Sequence, residues 1–314
     1  MSAAPSRPQP LDWGLLALLG LIWGGSFLGV ELALHSLSPL WVAAGRISLA
    51  AVLLLGVTLL LGDGLPDYRS PTGRRIWLHC LGMGLFTNAI PFSLLSWGQQ
   101  VVSSSFAGIT MAVVPLFVLP LSHLFVPGEG LSRARLIGFL IGFVGVVLLI
   151  GGDGLGSRPE MVAAVAVDGA MLPAQIACVA ATCCYACGAI ITRLCPPVNT
   201  MSFAAGGLLC GGLFILPLAI AVDGLPRDVS PASWGGVLFL ALLPTGLATI
   251  ILTFVIRRAG PPFLSLVNYQ VPVWAVLIGV TILSEPLPGH FLLALATILA
   301  GLAISQRLHR PATL

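Results

Sequence analysis

Two ionisable side chains interrupt otherwise apolar stretches, Glu31 and Arg46. A charge at that depth is costly in hydrocarbon, and where it persists it marks an ion path, a substrate contact or a pairing. The turn between the two stretches centres on Ser38-Pro39, with Glu31 about eight residues before it and Arg46 about seven after. An antiparallel helical hairpin therefore sets them at similar depth, and an ion pair is one reading. In the other, Glu31 carries a coupling proton or meets a substrate ammonium, and Arg46 meets a substrate carboxylate. A purely structural Arg46 would reach partly toward the interface.

A second set is polar or aromatic and uncharged: Ser26, Asn88, Ser96, Trp97, Thr110, Tyr185, Thr245, Thr249, Asn268, Tyr269, Gln270 and Trp274. Small-molecule sites are mostly apolar with a few placed polar groups, and this set suits the wall of such a cavity. Asn88, Asn268 and Gln270 weigh most, because an amide at lipid depth needs partners. From these residues the expected substrate-binding set is Ser26, Arg46, Asn88, Trp97, Tyr185, Thr245, Asn268, Tyr269, Gln270 and Trp274.

Other chemistry is missing. No paired carboxylates, His-rich cluster or nucleophile motif marks a membrane face, so no catalytic residue is expected and the chain reads as something other than an enzyme. Cys184 and Cys187 form a CxxC, which elsewhere would suggest a soft metal or a redox pair. All seven cysteines lie in or at the ends of apolar stretches, with no second CxxC, so packing is expected, with no disulfide, metal or cofactor. His79 and His123 read as interfacial residues. Glu129 and Glu285 sit in turns, where a carboxylate caps the next helix.

The elements that must position these residues follow from composition. Of 314 residues, 57% are hydrophobic and only 8% charged, too few charges to clothe a water-soluble fold of this size. The net charge of +3 is unclustered and gives no nucleic-acid signal. Ten stretches approach the roughly 20 apolar residues that span a bilayer, and their solid hydrophobicity makes them helices rather than barrel strands. The N-terminal stretch is long for a signal peptide and reads as a retained first helix. With the N-terminus inside, eleven arginines fall on the inner side and only Arg158 and Arg227 outside, so both termini are expected in the cytoplasm.

The chain also repeats. Laying Asn88 on Thr245 brings Trp97 onto Phe254 and Val114-Pro115 onto Val271-Pro272 without a gap, and Glu129 onto Glu285 after one deletion. Five helices is an odd number, so the second copy must be inverted. Residues 11–151 form the first five-helix repeat, 152–171 a periplasmic connecting loop and 172–308 the second repeat. Such an inverted repeat points to a secondary transporter with its site between the halves. The recurring Pro115 and Pro272 are hinge candidates. Gly138, Gly142 and Gly145 form a small-residue face, for internal packing or for a homodimer in place of a monomer.

Trp23-Gly24-Gly25-Ser26-Phe27, Arg46, and the units Pro115 to Glu129 and Pro272 to Glu285 resemble the drug/metabolite transporter superfamily, specifically its ten-helix EamA-type exporters. The resemblance covers almost the whole chain. It implies export of small metabolites across the bacterial inner membrane by alternating access, around a cavity built from the first four helices of each repeat. Asn268-Tyr269-Gln270 is more polar than is usual there in the family. The expected solute is neutral, zwitterionic or amphipathic, amino acids included, moved by facilitated diffusion or in exchange for protons. A nucleotide-sugar or other phosphorylated-metabolite carrier would want more cavity cations than Arg46 alone. A non-transporting membrane sensor is the remaining alternative.

Overall fold

The architecture is that of a computed structural model, which describes residues 8–130, 132–151 and 170–307. Most of the expected connecting loop, residues 152–169, lies outside the described residues. Among those described, eight helices are long and apolar enough to cross a membrane: α1 Pro10–Leu34, α2 Pro39–Leu60, α3 Pro71–Gly98, α4 Ser104–Phe125, α5 Arg133–Gly151, α6 Met171–Arg193, α7 Thr200–Asp223 and α8 Pro231–Ala259. Two shorter apolar helices follow, α9 Val267–Thr281 and α10 Gly289–Ser305. The 15 residues of α9 rise only about 22 Å at 1.5 Å each. The expected stretch is cut by a turn at Ser265-Leu266 that follows a single helical turn over Pro261–Leu264.

The helix starts are written locally. Ser38, Ser70 and Ser230 each precede a proline, and each hydroxyl accepts a hydrogen bond from the backbone N–H three residues on. Serine satisfies one orphan donor, and proline at the first helical position has no donor to lose. Ser103 and Asn199 cap α4 and α7 in the same manner. Gly224 and Gly260, with φ of 70° and 84°, end α7 and α8, a conformation that side chains other than glycine resist.

Cross-chain packing comes in matched pairs. α1 packs on α9 as α6 packs on α4; the second half of α1, Ser26–Leu34, packs on α8 as α6 packs on α3; α2 packs on α8 as α7 packs on α3. α2 with α7, α4 with α9, and α5 with α10 close the set. The α5–α10 contact is backbone to backbone: a Cβ on Gly138 would come 2.4 Å from the Gly301 carbonyl, and one on Gly145 would come 2.9 Å from the Ile298 backbone nitrogen. Gly142 receives Leu116 of α4. The glycine face considered for a dimer is therefore already occupied, while Ile137, Leu140 and Val144 point outward.

Both α3 and α8 change their winding midway. Gly84–Ala89 and Ala241–Leu247 are π-helical, and they begin at matching positions of the repeat. Such a bulge leaves carbonyls to be satisfied by other groups and often marks a functional site. Here Asn88 donates to the carbonyl of Met83 and Thr245 to that of Leu240, each five residues back.

Candidate substrate cavity

A cavity of about 460 Å³ lies between the two halves of the chain, a size suited to a small solute. Its lining reaches Thr192, Thr200 and Ile256, at the end of the bundle that carries Arg193, Arg257 and Arg258. At the opposite end it stops at Val30 and Gln99.

The break in α1 shapes one wall. The helix turns at Gly25, and the Ser26 hydroxyl returns a 2.6 Å hydrogen bond to the Trp23 carbonyl. A Cβ on Gly24 would stand 2.5 Å from that of Trp274, so glycine is what lets α9 lie against α1 here. Trp23 then spans the cavity wall to donate from its indole to the Pro244 carbonyl of the α8 π-stretch at 3.1 Å.

Among the described residues Arg46 is the only charged side chain in the lining, and it is only 7% exposed. Its Nε donates to the Thr245 hydroxyl over 2.8 Å, and its guanidinium carbon lies 3.6 Å from the centre of the Phe92 ring. Phe92 in turn meets Tyr185 edge-on at 6.4 Å between centroids. No carboxylate of a described residue is within ion-pair distance of Arg46. The ion pair with Glu31, one of the two readings of the sequence, is thus not formed. Similar depth in a hairpin does not fix the direction around each helix axis, and the guanidinium turns toward α8 while Glu31, half-buried, stands outside the lining.

Of the other predicted residues, Ser26, Asn88, Tyr185, Thr245 and Asn268 line the cavity. Trp97 does not: it is 43% exposed on the outside of the bundle, as is its repeat partner Phe254 at 44%. Gln270 packs against Gly20 and Trp274 against Gly24, both in the α1–α9 contact, and Tyr269 is likewise outside the lining. Pro115 follows a short 3-10 stretch, Met111–Val113, whereas Pro272 sits buried within a continuous α9. Only the first of the hinge pair coincides with a change of winding.

Several lining residues were not anticipated. Gln99, which reads in sequence as part of a polar break, is 1% exposed. Its amide donates to the Phe27 carbonyl at 3.1 Å, which turns Oε1 away from that bond, and neither this oxygen nor the Thr87 hydroxyl has a described partner. Phe92 and Leu95 complete this wall. The seven cysteines are all unpaired, and no group of three metal-ligating side chains occurs among the described residues.

The turns at the two ends differ. Glu285 is buried against the start of α4, accepting from the N–H groups of Ser104 and Ser105. Glu129 instead pairs with Arg193 and, at 3.8 Å, with Arg135. His123 contacts the Glu129 carbonyl and His79 that of Arg75, both at the surface.

A bundle of apolar helices folded around an amphipathic cavity, with the Arg46 cation in its wall, is the architecture of a membrane solute transporter. The profile of the EamA-like transporter family matches residues 13–151 and 172–306, and the chain belongs to that family. It is 29% identical over 294 residues to the "Uncharacterized inner membrane transporter YedA" of Escherichia coli K12, covering 93% of this chain and 89% of that one. Over 318 residues it is 26% identical to the "Aromatic amino acid exporter YddG" of Ancylobacter novellus, covering 97% and 99%. A solved crystal structure shares the fold with a TM-score of 0.65 at 23% identity, covering 96% of this chain and 98% of that one. The family and the apolar helices make this a multi-pass transporter of the bacterial inner membrane, taking a small-molecule substrate within the bilayer.

Proposed function

We propose that this transporter exports small amphipathic solutes that carry one carboxylate, amino acids and their close analogues, by alternating access. The observation that carries the reading is Arg46, a buried cation in the cavity wall with no anionic partner among the described residues. A guanidinium recognises a carboxylate through two parallel N–H donors, and here Nε is already spent on Thr245, which leaves the terminal nitrogens for the ligand. Phe92, Tyr185 and Trp23 offer apolar and aromatic surface beside it. Gln99 Oε1 and Thr87 Oγ1 are acceptors suited to an ammonium. The relative named as an aromatic amino acid exporter agrees with this chemistry.

In this reading the ten helices are two inverted repeats with both termini cytoplasmic. The matched packing pairs and the twin π-stretches support it. The cavity then opens to the cytoplasm, where an exporter loads. Glu31, outside the lining, is a proton carrier only if it acts at a distance, so facilitated diffusion is the simpler mode. A polyphosphate cargo is disfavoured by the single cation.

The test is uptake into proteoliposomes of labelled phenylalanine, alanine and a nucleotide sugar, with and without a pH gradient. Uptake of the amino acids alone is expected, unchanged by the gradient and by Glu31→Gln. Uptake of the nucleotide sugar alone would overturn the substrate reading, and gradient-driven uptake lost in Glu31→Gln would restore proton exchange.

A further inference from the structure

Glu285 stands in the turn between α9 and α10 and is 6% exposed. Its Oε1 accepts from the Ser104 N–H at 2.8 Å; its Oε2 accepts from the Ser105 N–H at 3.0 Å and the Ser105 hydroxyl at 2.6 Å. A carboxylate on the free donors at a helix start is held by directed hydrogen bonds and by the helix dipole together. The surroundings are cut to fit it. Ser284 takes the left-handed backbone, with φ of 53°, that turns the chain into Glu285. A Cβ on Gly279 would come 2.5 Å from Oε2 and 2.3 Å from the Ser105 hydroxyl. Deeper in the bundle α4 and α9 touch at Gly108, where a Cβ would lie 2.1 Å from that of Ala275. This clasp joins the first half of the chain to the second at the end where the cavity lining stops, at Val30 and Gln99.

The same carboxylate recurs at the other end as Glu129, but its receiver does not. The register that lays Asn88 on Thr245 and Pro115 on Pro272 lays Ser104 and Ser105 on Pro261 and Pro262. Proline has no N–H to offer. Glu129 is held instead by Arg193, itself 51% exposed, and Arg135, a side-chain pairing that water and salt weaken.

We propose that Glu285 is the positioning residue that locks the cavity closed at its own end, and that Pro261-Pro262 deny the arginine-rich end an equal lock. The protein therefore rests with its cavity open at the arginine-rich end. The inference rests on the two-repeat reading and is independent of which solute is carried.

Hydrogen exchange of the full chain in lipid nanodiscs tests it without any substrate, so its outcome is separate from that of the transport assay. In Glu285→Gln, peptides covering 103–112 should exchange at least about tenfold faster, as expected for the loss of a charged hydrogen-bond partner. Peptides covering 192–202 should slow as that end closes, with α5 and α10 unchanged. A role in folding alone would speed exchange throughout, α10 included, and would overturn the proposal, as would unchanged protection at 103–112. Pro261→Ser with Pro262→Ser supplies the missing donors and leaves the clasp untouched. It should slow exchange at 192–202 and raise it at 103–112; no change there would overturn the part assigned to the prolines.

Discussion

Arg46 on α2 donates to the hydroxyl of Thr245 on α8 across 2.8 Å, and that hydroxyl in turn donates a hydrogen bond to the Leu240 carbonyl. One hydroxyl thus satisfies a π-helical carbonyl and fixes the guanidinium of the other half of the chain. With Nε anchored and Phe92 beneath it, the remaining donors are pre-oriented before any ligand arrives, which lowers the cost of binding.

Arg46→Lys keeps the charge but loses the planar fork and the stacking on Phe92. A hydrogen bond to a charged group contributes about 1.5–3 kcal/mol, so the apparent KM for a carboxylate solute should rise between about tenfold and a hundredfold. Steady-state uptake beside membrane expression of the variant measures this. An unchanged KM would remove Arg46 from the site.

Gly108→Ala drives a methyl into Ala275 of α9. Overpacking of this kind costs about 1–3 kcal/mol, and thermal unfolding in detergent should show a lowered midpoint. Ala275→Gly in the same chain removes the opposing methyl and should recover most of the loss. Failure of the second change to rescue would show that the contact is looser than described.

Asp67, in the turn before α3, accepts from the N–H groups of Arg69 and Ser70. Those backbone bonds, that of Arg69 first, hold its carboxyl below the usual carboxylate range. A lowered folded pKa contributes stability above the unfolded pKa, lost as pH falls through the folded value. Asp67→Asn should therefore unfold at a lower temperature than the parent at pH 7, and the difference should shrink as the pH falls below the ordinary aspartate pKa of about 3.9. A gap that persists in acid would assign the effect to the amide itself.

Much of this was legible in order along the chain. The Ser-Pro pairs at 38, 70 and 230 announce helix starts, and the apolar stretches and their repeat are visible by inspection. Direction around each helix axis was not legible. A membrane helix is apolar toward lipid and toward its neighbours alike, so nothing local separates Trp97, which faces outward, from Phe92 five residues earlier, which faces the cavity. Gln270 and Trp274, expected in the cavity wall, belong instead to the α1–α9 contact. The grip of Glu285 on Ser104 joins residues 181 positions apart, and only the folded chain brings them together.

The central claim is a carboxylate on Arg46. Counterflow of labelled phenylalanine in proteoliposomes, competed by unlabelled 3-phenylpropionate and by phenethylamine, tests it directly. The two competitors share the ring and differ in carrying only the acid or only the amine. Phenylpropionate should compete in the parent and lose that power in Arg46→Gln, with phenethylamine the weaker competitor in the parent. Equal competition by phenethylamine, or phenylpropionate competition that survives Arg46→Gln, would contradict the account.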